Sequence, residues 1–495
     1  MVPFVEDLGG DISLASVQEH GGHPTKNEHT DVEDGAWLAH VVNVTTKDKV
    51  DGKWQLDDVP VTFAGFFSKT QERKHIKPRA VIGVFPVFSE EKADTMSMQK
   101  HAMLVAKKAI AFVNPGQIPV IQGDCPVYAR QKRCQLLFPE ELGEQQMVCM
   151  IGFLHLEMCT QEAGGKLMGG SGWERMFHLA KIFTPGVAAS LLCGKHVKRT
   201  RQAYLLTLSW LEVLRRHAYD KYCKQTGPHV SFEVWERELF STSPTACYWG
   251  KIVRDFLLTT CCFIRNQRLG NWLGMLDAID DLCPYFFALG HTNYSRWVPV
   301  FLRDMAELSQ RHPAVHEKFM EGHFVVQRSE KKFSLMGLDQ SQEHSIKMLK
   351  EDSGPKGLYG QAEDKVVIEL SRAEVLRVIE EFEYASTHTT QSESVEHPES
   401  SVSEQQRFLN QLSCLLELVD QGTIINPYGE TGSHLVTLDT GEYMDPEVSK
   451  SLQELPTTGR TMYAKFKKER IEDCTTSVSD VIPKASLYTF LHPPQ

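Results

Sequence analysis

Asp124 closes the segment IPVIQGD, an apolar run with β-branched residues that ends on a carboxylate. The end of a rigid strand is where a phosphoryl-transfer site would hold a metal-binding carboxylate. Capping is the competing role, because Asp124 precedes Cys125-Pro126 and can accept N–H groups from a following helical turn. His155 and Glu157 lie two apart at the end of the apolar run MVCMIGFLH, so on a strand they share one face. His155 there would orient a phosphate, or sit buried against a backbone carbonyl. Asp339 and Glu343 are four apart and share one face of a helix. With Asp124 they could hold a pair of Mg2+ or Mn2+ ions about 4 Å apart, which is the arrangement that steadies both oxygens of a phosphoryl transfer. An acidic first helical turn is the plainer role. On the chemical reading Asp124, His155 and Glu343 are catalytic, and Asp124, Asp339 and Glu343 are the metal ligands. Cys149, His155 and Cys159 lack the paired Cys-x2-Cys spacing that would point to zinc.

Two further clusters fit nucleic acid. Lys195, Lys198, Arg199 and Arg201 crowd into GKHVKRTRQAY ahead of an amphipathic helix, where they could meet a phosphate backbone or form an ordinary exposed face. Tyr294, Arg296 and Trp297 in HTNYSRWVPVFLR could stack on unpaired bases or anchor helix packing. There is no phosphate-binding P-loop, no G-x-S-x-G elbow and no kinase signature, and GGSGW lacks the Lys and Ser/Thr that a P-loop needs.

The elements that must position these residues follow from periodicity. VPVTFAGFF (59–67) reads as a first core strand and AVIGVFPVF (80–88) as an extended segment broken by Pro86. Residues 96–113 carry helical spacing, IPVIQGD is the next strand, and 125–135 a helix that tolerates Pro126 in its first turn. LLFPEELGE is a loop, and 147–155 reads as a strand buried on both faces. From about 160 to 320 the pattern is helical throughout. HFVVQRSEKKFSLMGLD suggests a short two-stranded excursion, with helices at 341–349 and 373–384. The organisation expected is a flexible tail (1–34), the first part of an α/β core (35–159), a helical insertion (160–322), the rest of the core (323–385), a low-complexity linker (386–404) and a mostly helical C-terminal region (405–495).

The chain has 495 residues, 41% hydrophobic and 24% charged, with a net charge of −11 and a pI near 6.0. That balance excludes a chain coated in nucleic acid but leaves room for a local basic patch. No stretch approaches the roughly 20 apolar residues of a membrane span. The start MVPFVEDLGG lacks a basic, apolar leader, and several of the twelve cysteines sit in apolar runs. An intracellular protein with reduced thiols, nuclear or cytoplasmic and not secreted, is expected.

IPVIQGDCPVYA, FLHLEM, GGSGW, KHVKRTRQAY, HTNYSRWVPVFLRDM, GHFVVQRSEKKFS and LDQSQEH together resemble a family of uncharacterised, multicopy, transposon-derived proteins of invertebrate and fish genomes. More distantly, the chain is similar to RNase H-like transposases of the Mutator type. Asp124, Phe138-Pro139 and His155 match their order of strand–Asp, loop and His. The resemblance implies an RNase H-like mixed sheet interrupted by a large all-helical insertion, with Glu343 as the last acid. It also implies divalent-metal-dependent DNA cleavage or strand transfer. The sequence departs from the pattern at the first strand, because VPVTFAGFF holds no Asp and only Asp57 and Asp58 precede it. Losing a shared ligand weakens catalysis. The expectation is a transposase-like protein with little or no activity and DNA as candidate partner. The alternative is a non-enzymatic protein-interaction scaffold that keeps the fold.

Overall fold

The computed structural model describes residues 29–47, 50–56, 60–70, 95–227, 230–329, 331–350, 377–378, 381–382, 396–429 and 432–473. They are 71% helical and 4% strand. Their one sheet pairs β1 (Val120–Gly123) with β2 (Val148–Ile151) in parallel, in the register Val120↔Val148 to Gly123↔Ile151. An RNase H-like mixed sheet is therefore not the fold, and the α/β expectation is corrected to a mainly helical protein around a two-stranded core.

The helices that frame this core are α1 (His29–Thr45), α2 (Phe63–Thr70), α3 (Met96–Val113), α4 (Cys125–Leu137), α5 (Phe153–Met168), α6 (Val197–Thr226), α7 (Arg254–Leu269), α8 (Trp272–Ala288), α9 (Thr292–Ala306), α10 (Leu338–Lys350), α11 (Val402–Asp420) and α12 (Pro446–Lys467). Helix α4 is the crossover that a parallel strand pair requires.

The corrections share a cause. VPVTFAGFF reads as a strand, yet Phe63 starts a helix whose Phe63, Ala64, Phe66 and Phe67 are all buried. A short segment apolar on every side satisfies a buried helix as well as a buried strand, so periodicity cannot separate them. The second strand likewise stops at Ile151, and Gly152 leads into α5, so His155 and Glu157 sit on a helix. Two residues apart on a helix they point to nearly opposite sides. The extended segment expected at 80–88 lies outside the described residues, as do 1–28, 351–376 and 386–395. The excursion at 323–339 reduces to one antiparallel bridge, Val326↔Met336, and LVTLD contributes only Val436↔Tyr443.

The described helices of the C-terminal part pack on the rest of the molecule. Helix α12 lies so close on α8 that a Cβ at Gly459 would come within 2.2 Å of the Pro284 carbonyl oxygen. The end of the expected linker is ordered too. A 3-10 turn at Pro398–Ser400 meets α2, with Thr62 Oγ1 donating to the Glu399 carbonyl at 2.7 Å. Among the described residues no cysteine is in a disulfide, and no helix is long and apolar enough to cross a membrane.

Candidate functional site

Both strands end at one edge, and the acidic residues gather there. Gly152 N–H donates to Gly123 O at 2.6 Å, which closes the strand pair. Asp124 then caps α4, its Oδ1 accepting Val127 N–H at 2.8 Å. The polar side chain of Gln122, inside the apolar strand, ties the edge together. It donates to Ile151 O at 2.9 Å and accepts Asp339 N–H at 3.2 Å, which brings the first turn of α10 onto the strand ends.

Asp339 is 8% exposed and fully engaged. Its Oδ2 accepts His155 N–H at 3.2 Å and lies 3.1 Å from His155 Nδ1, while Oδ1 accepts Gln340 N–H at 2.9 Å. Glycine at 152 makes this approach possible, because a Cβ there would sit 2.6 Å from Asp339 Oδ2. The hydrogen bond to Asp339 holds the His155 pKa above its ordinary value. The charges of Asp339, Asp124 and Glu343 add to this, against the opposing effect of burial. Tyr294 Oη donates to His155 O at 3.0 Å and steadies its backbone. Asp124, His155, Asp339 and Glu343 are thus brought into one electrostatic neighbourhood, with Glu343 exposed at its rim.

Asp124 and Asp339 use their oxygens to cap and brace backbone. Among the described residues no group of three or more His, Cys, Asp and Glu side chains is arranged to hold a metal. What the arrangement can do is hold a protonatable imidazole against a carboxylate.

Across α5 the chemistry changes sign. Glu157, fully buried, takes both guanidinium nitrogens Nε and Nη2 of Arg201 at 2.5 Å, and also accepts from Gln161 Nε2 at 2.9 Å. Arg201 is therefore a structural partner. Lys195, Lys198 and Arg199, at the start of α6, are exposed and make no ion pair among the described residues. Tyr294 and Trp297 are packing residues: Tyr294 lies against Phe286 at 5.9 Å and Trp297 edge-on to Tyr128 at 6.3 Å. Their helix α9 is anchored to α4 by a Lys132–Asp304 ion pair of 2.7 Å. Arg296, half-buried on α9, lies near Cys125. It acts there against burial and Asp124, which together push that thiol up to about 12.

A family model described as Domain of unknown function (DUF8702) matches residues 214–487, more than half of the chain. The chain belongs to the DUF8702 family. No curated protein and no solved structure matches it. The DUF8702 match takes in Asp339, Glu343 and the α9 aromatics, but begins after Asp124, His155 and the basic turn. The strand-edge neighbourhood is therefore assembled from both sides of the DUF8702 boundary. Sequence reasoning passed over Gln122 and Gly152. The signal for Gln122 was present, an amide inside an otherwise apolar strand. Nothing in the sequence marked Gly152 as the residue that lets Asp339 approach.

Proposed function

We propose that this chain is a transposon-derived protein that binds nucleic acid through its phosphates and does not cleave it. The observation that carries the reading is the division of charge at the start of α6. Arg201 is committed to Glu157, whereas Lys195, Lys198 and Arg199 are exposed without a carboxylate partner among the described residues. In a chain of net charge −11, three such cations in one turn form a local positive patch. Lys198 lines a cavity that shares Arg407 and Gln411 with an open cleft of about 410 Å3, whose wall also carries Lys181, Gln406 and Asn410. The engagement of Asp124 and Asp339 in backbone bracing supports binding without metal-assisted cleavage. The resemblance of the quoted segments supports the descent.

The test is binding of a labelled oligonucleotide across a salt series. Wild type should lose affinity steeply with salt. The variant Lys195→Glu/Lys198→Glu/Arg199→Glu should bind weakly at every salt, with the slope reduced by about 0.9 per lost contact on duplex or about 0.7 on single strands. Equal affinity and slope in the two proteins would overturn the reading.

A further inference from the structure

A second cavity, of about 520 Å3, opens between α2, α5, α6, α7, α10 and α11 and shares Arg407 and Gln411 with the cleft. It lies on the other side of α10 from the histidine: Asp339 faces His155, while Gln340 and His344 line the cavity. Its volume falls in the range of small-molecule sites.

The lining divides into two chemistries. Phe63, Leu205, Ile264 and Phe408 supply an apolar side. Gln202 Nε2 donates to Gln411 Oε1 at 2.8 Å, which leaves Gln202 Oε1 and Gln411 Nε2 as one acceptor and one donor at the wall. The cations differ in their commitments. Arg201 belongs to Glu157 and Arg407 pairs with Glu404. Arg268 makes no ion pair or hydrogen bond among the described residues, and its guanidinium lies over the Phe333 ring at 5.4 Å. Burial, and next the nearby Arg201, pull the Arg268 pKa down to about 10. Burial together with Arg268 pushes His397 down to about 4. Arg268 is half-buried, and the nearest carboxylates, Glu399 and Glu157, act on it through their charge without an ion pair or hydrogen bond; a phosphate is the group whose geometry a guanidinium matches in two parallel hydrogen bonds.

We propose that this cavity binds a mononucleotide, with Arg268 taking the phosphate and the apolar side and paired glutamines receiving the base. An inorganic anion alone would leave most of the volume and the apolar side unused. The inference shares Lys198 with the basic turn, since that side chain lines the cavity, whereas Lys195 and Arg199 do not; the occupant is a free nucleotide or the phosphorylated end of a strand.

Calorimetry on the full chain tests it with AMP, adenosine and inorganic phosphate. AMP should bind at least about tenfold more tightly than either fragment. Arg268→Gln should weaken it by roughly 10- to 100-fold, the range for a hydrogen bond to a charged group. Gln411→Trp, at the mouth of the cavity, should abolish it and serves as the deciding variant if Arg268→Gln does not fold. Competition by a 5′-phosphorylated oligonucleotide but not its 5′-hydroxyl form would identify a strand end as the source; absence of competition would identify the free nucleotide. Lys195→Glu/Arg199→Glu should leave AMP affinity unchanged, so failure of polymer binding is separable from failure here. No AMP binding by wild type, phosphate binding as tightly as AMP, or unchanged affinity in Gln411→Trp would each overturn the proposal.

Discussion

The strand-edge neighbourhood and the cationic cavity lie on either side of α10, and they treat charge in opposite ways. At the strand edge Asp124 and Asp339 have local partners: a helix N-terminus, a backbone N–H and an imidazole. In the cavity Arg268 makes no ion pair or hydrogen bond among the described residues; it meets the Phe333 ring and, at longer range, the charges of Glu399 and Glu157. Charges of the first kind hold structure, and the proposal is that those of the second kind take a ligand. A carboxylate whose oxygens already serve the backbone is thus a weaker functional signal than a cation that lines a cavity without an ion pair.

The largest effect should come from the ion pair that separates the two regions. Glu157→Gln leaves the Arg201 guanidinium uncompensated and should cost about 3–5 kcal/mol in urea unfolding. A loss under about 1 kcal/mol would mean that Arg201 is as available to ligand as its exposed neighbours. Gly152→Ala comes next. It drives a methyl into Asp339 Oδ2 and should cost about 1–3 kcal/mol. An unchanged midpoint would show that α10 is held loosely at the strand edge.

Asp339→Asn tests the imidazole itself. The folded His155 pKa lies above its unfolded value, so the pair stabilises fully below the unfolded pKa, and this stability is lost as pH rises through the folded value. The deficit of the variant should be about 1–2 kcal/mol near pH 6 and shrink at higher pH. The His155 ring resonances should titrate at lower pH in the variant. A deficit that grows with pH would contradict the pairing. The smallest effect is on stability at the basic turn, where Lys195→Glu/Arg199→Glu should change it by less than about 0.5 kcal/mol while affecting nucleic-acid binding.

Much of the strand edge was legible in the sequence. Residues 118–124 announce a strand ending on Asp124, and Asp339 and Glu343 announce a shared helical face. The turn from β2 into α5 was not, because MVCMIGFLH is apolar across the point where Gly152 ends one element and Phe153 begins the other. That one boundary decides that His155 and Glu157 diverge, His155 to Asp339 and Glu157 to Arg201. The RNase H-like sheet failed for the same reason at VPVTFAGFF, where tertiary burial favours a helix. The cavity could not be read at all, since Phe63, Arg268 and Phe408 meet only through long-range packing. Arg268 in the sequence looks like any helical arginine.

The most direct measurement incubates the purified full chain with labelled DNA and Mn2+ and reads binding and cleavage in the same sample. The expected result is a salt-sensitive complex with DNA intact after prolonged incubation. Cleavage by wild type that disappears in Asp124→Asn, with binding retained, would contradict the reading of the strand edge as a structural brace.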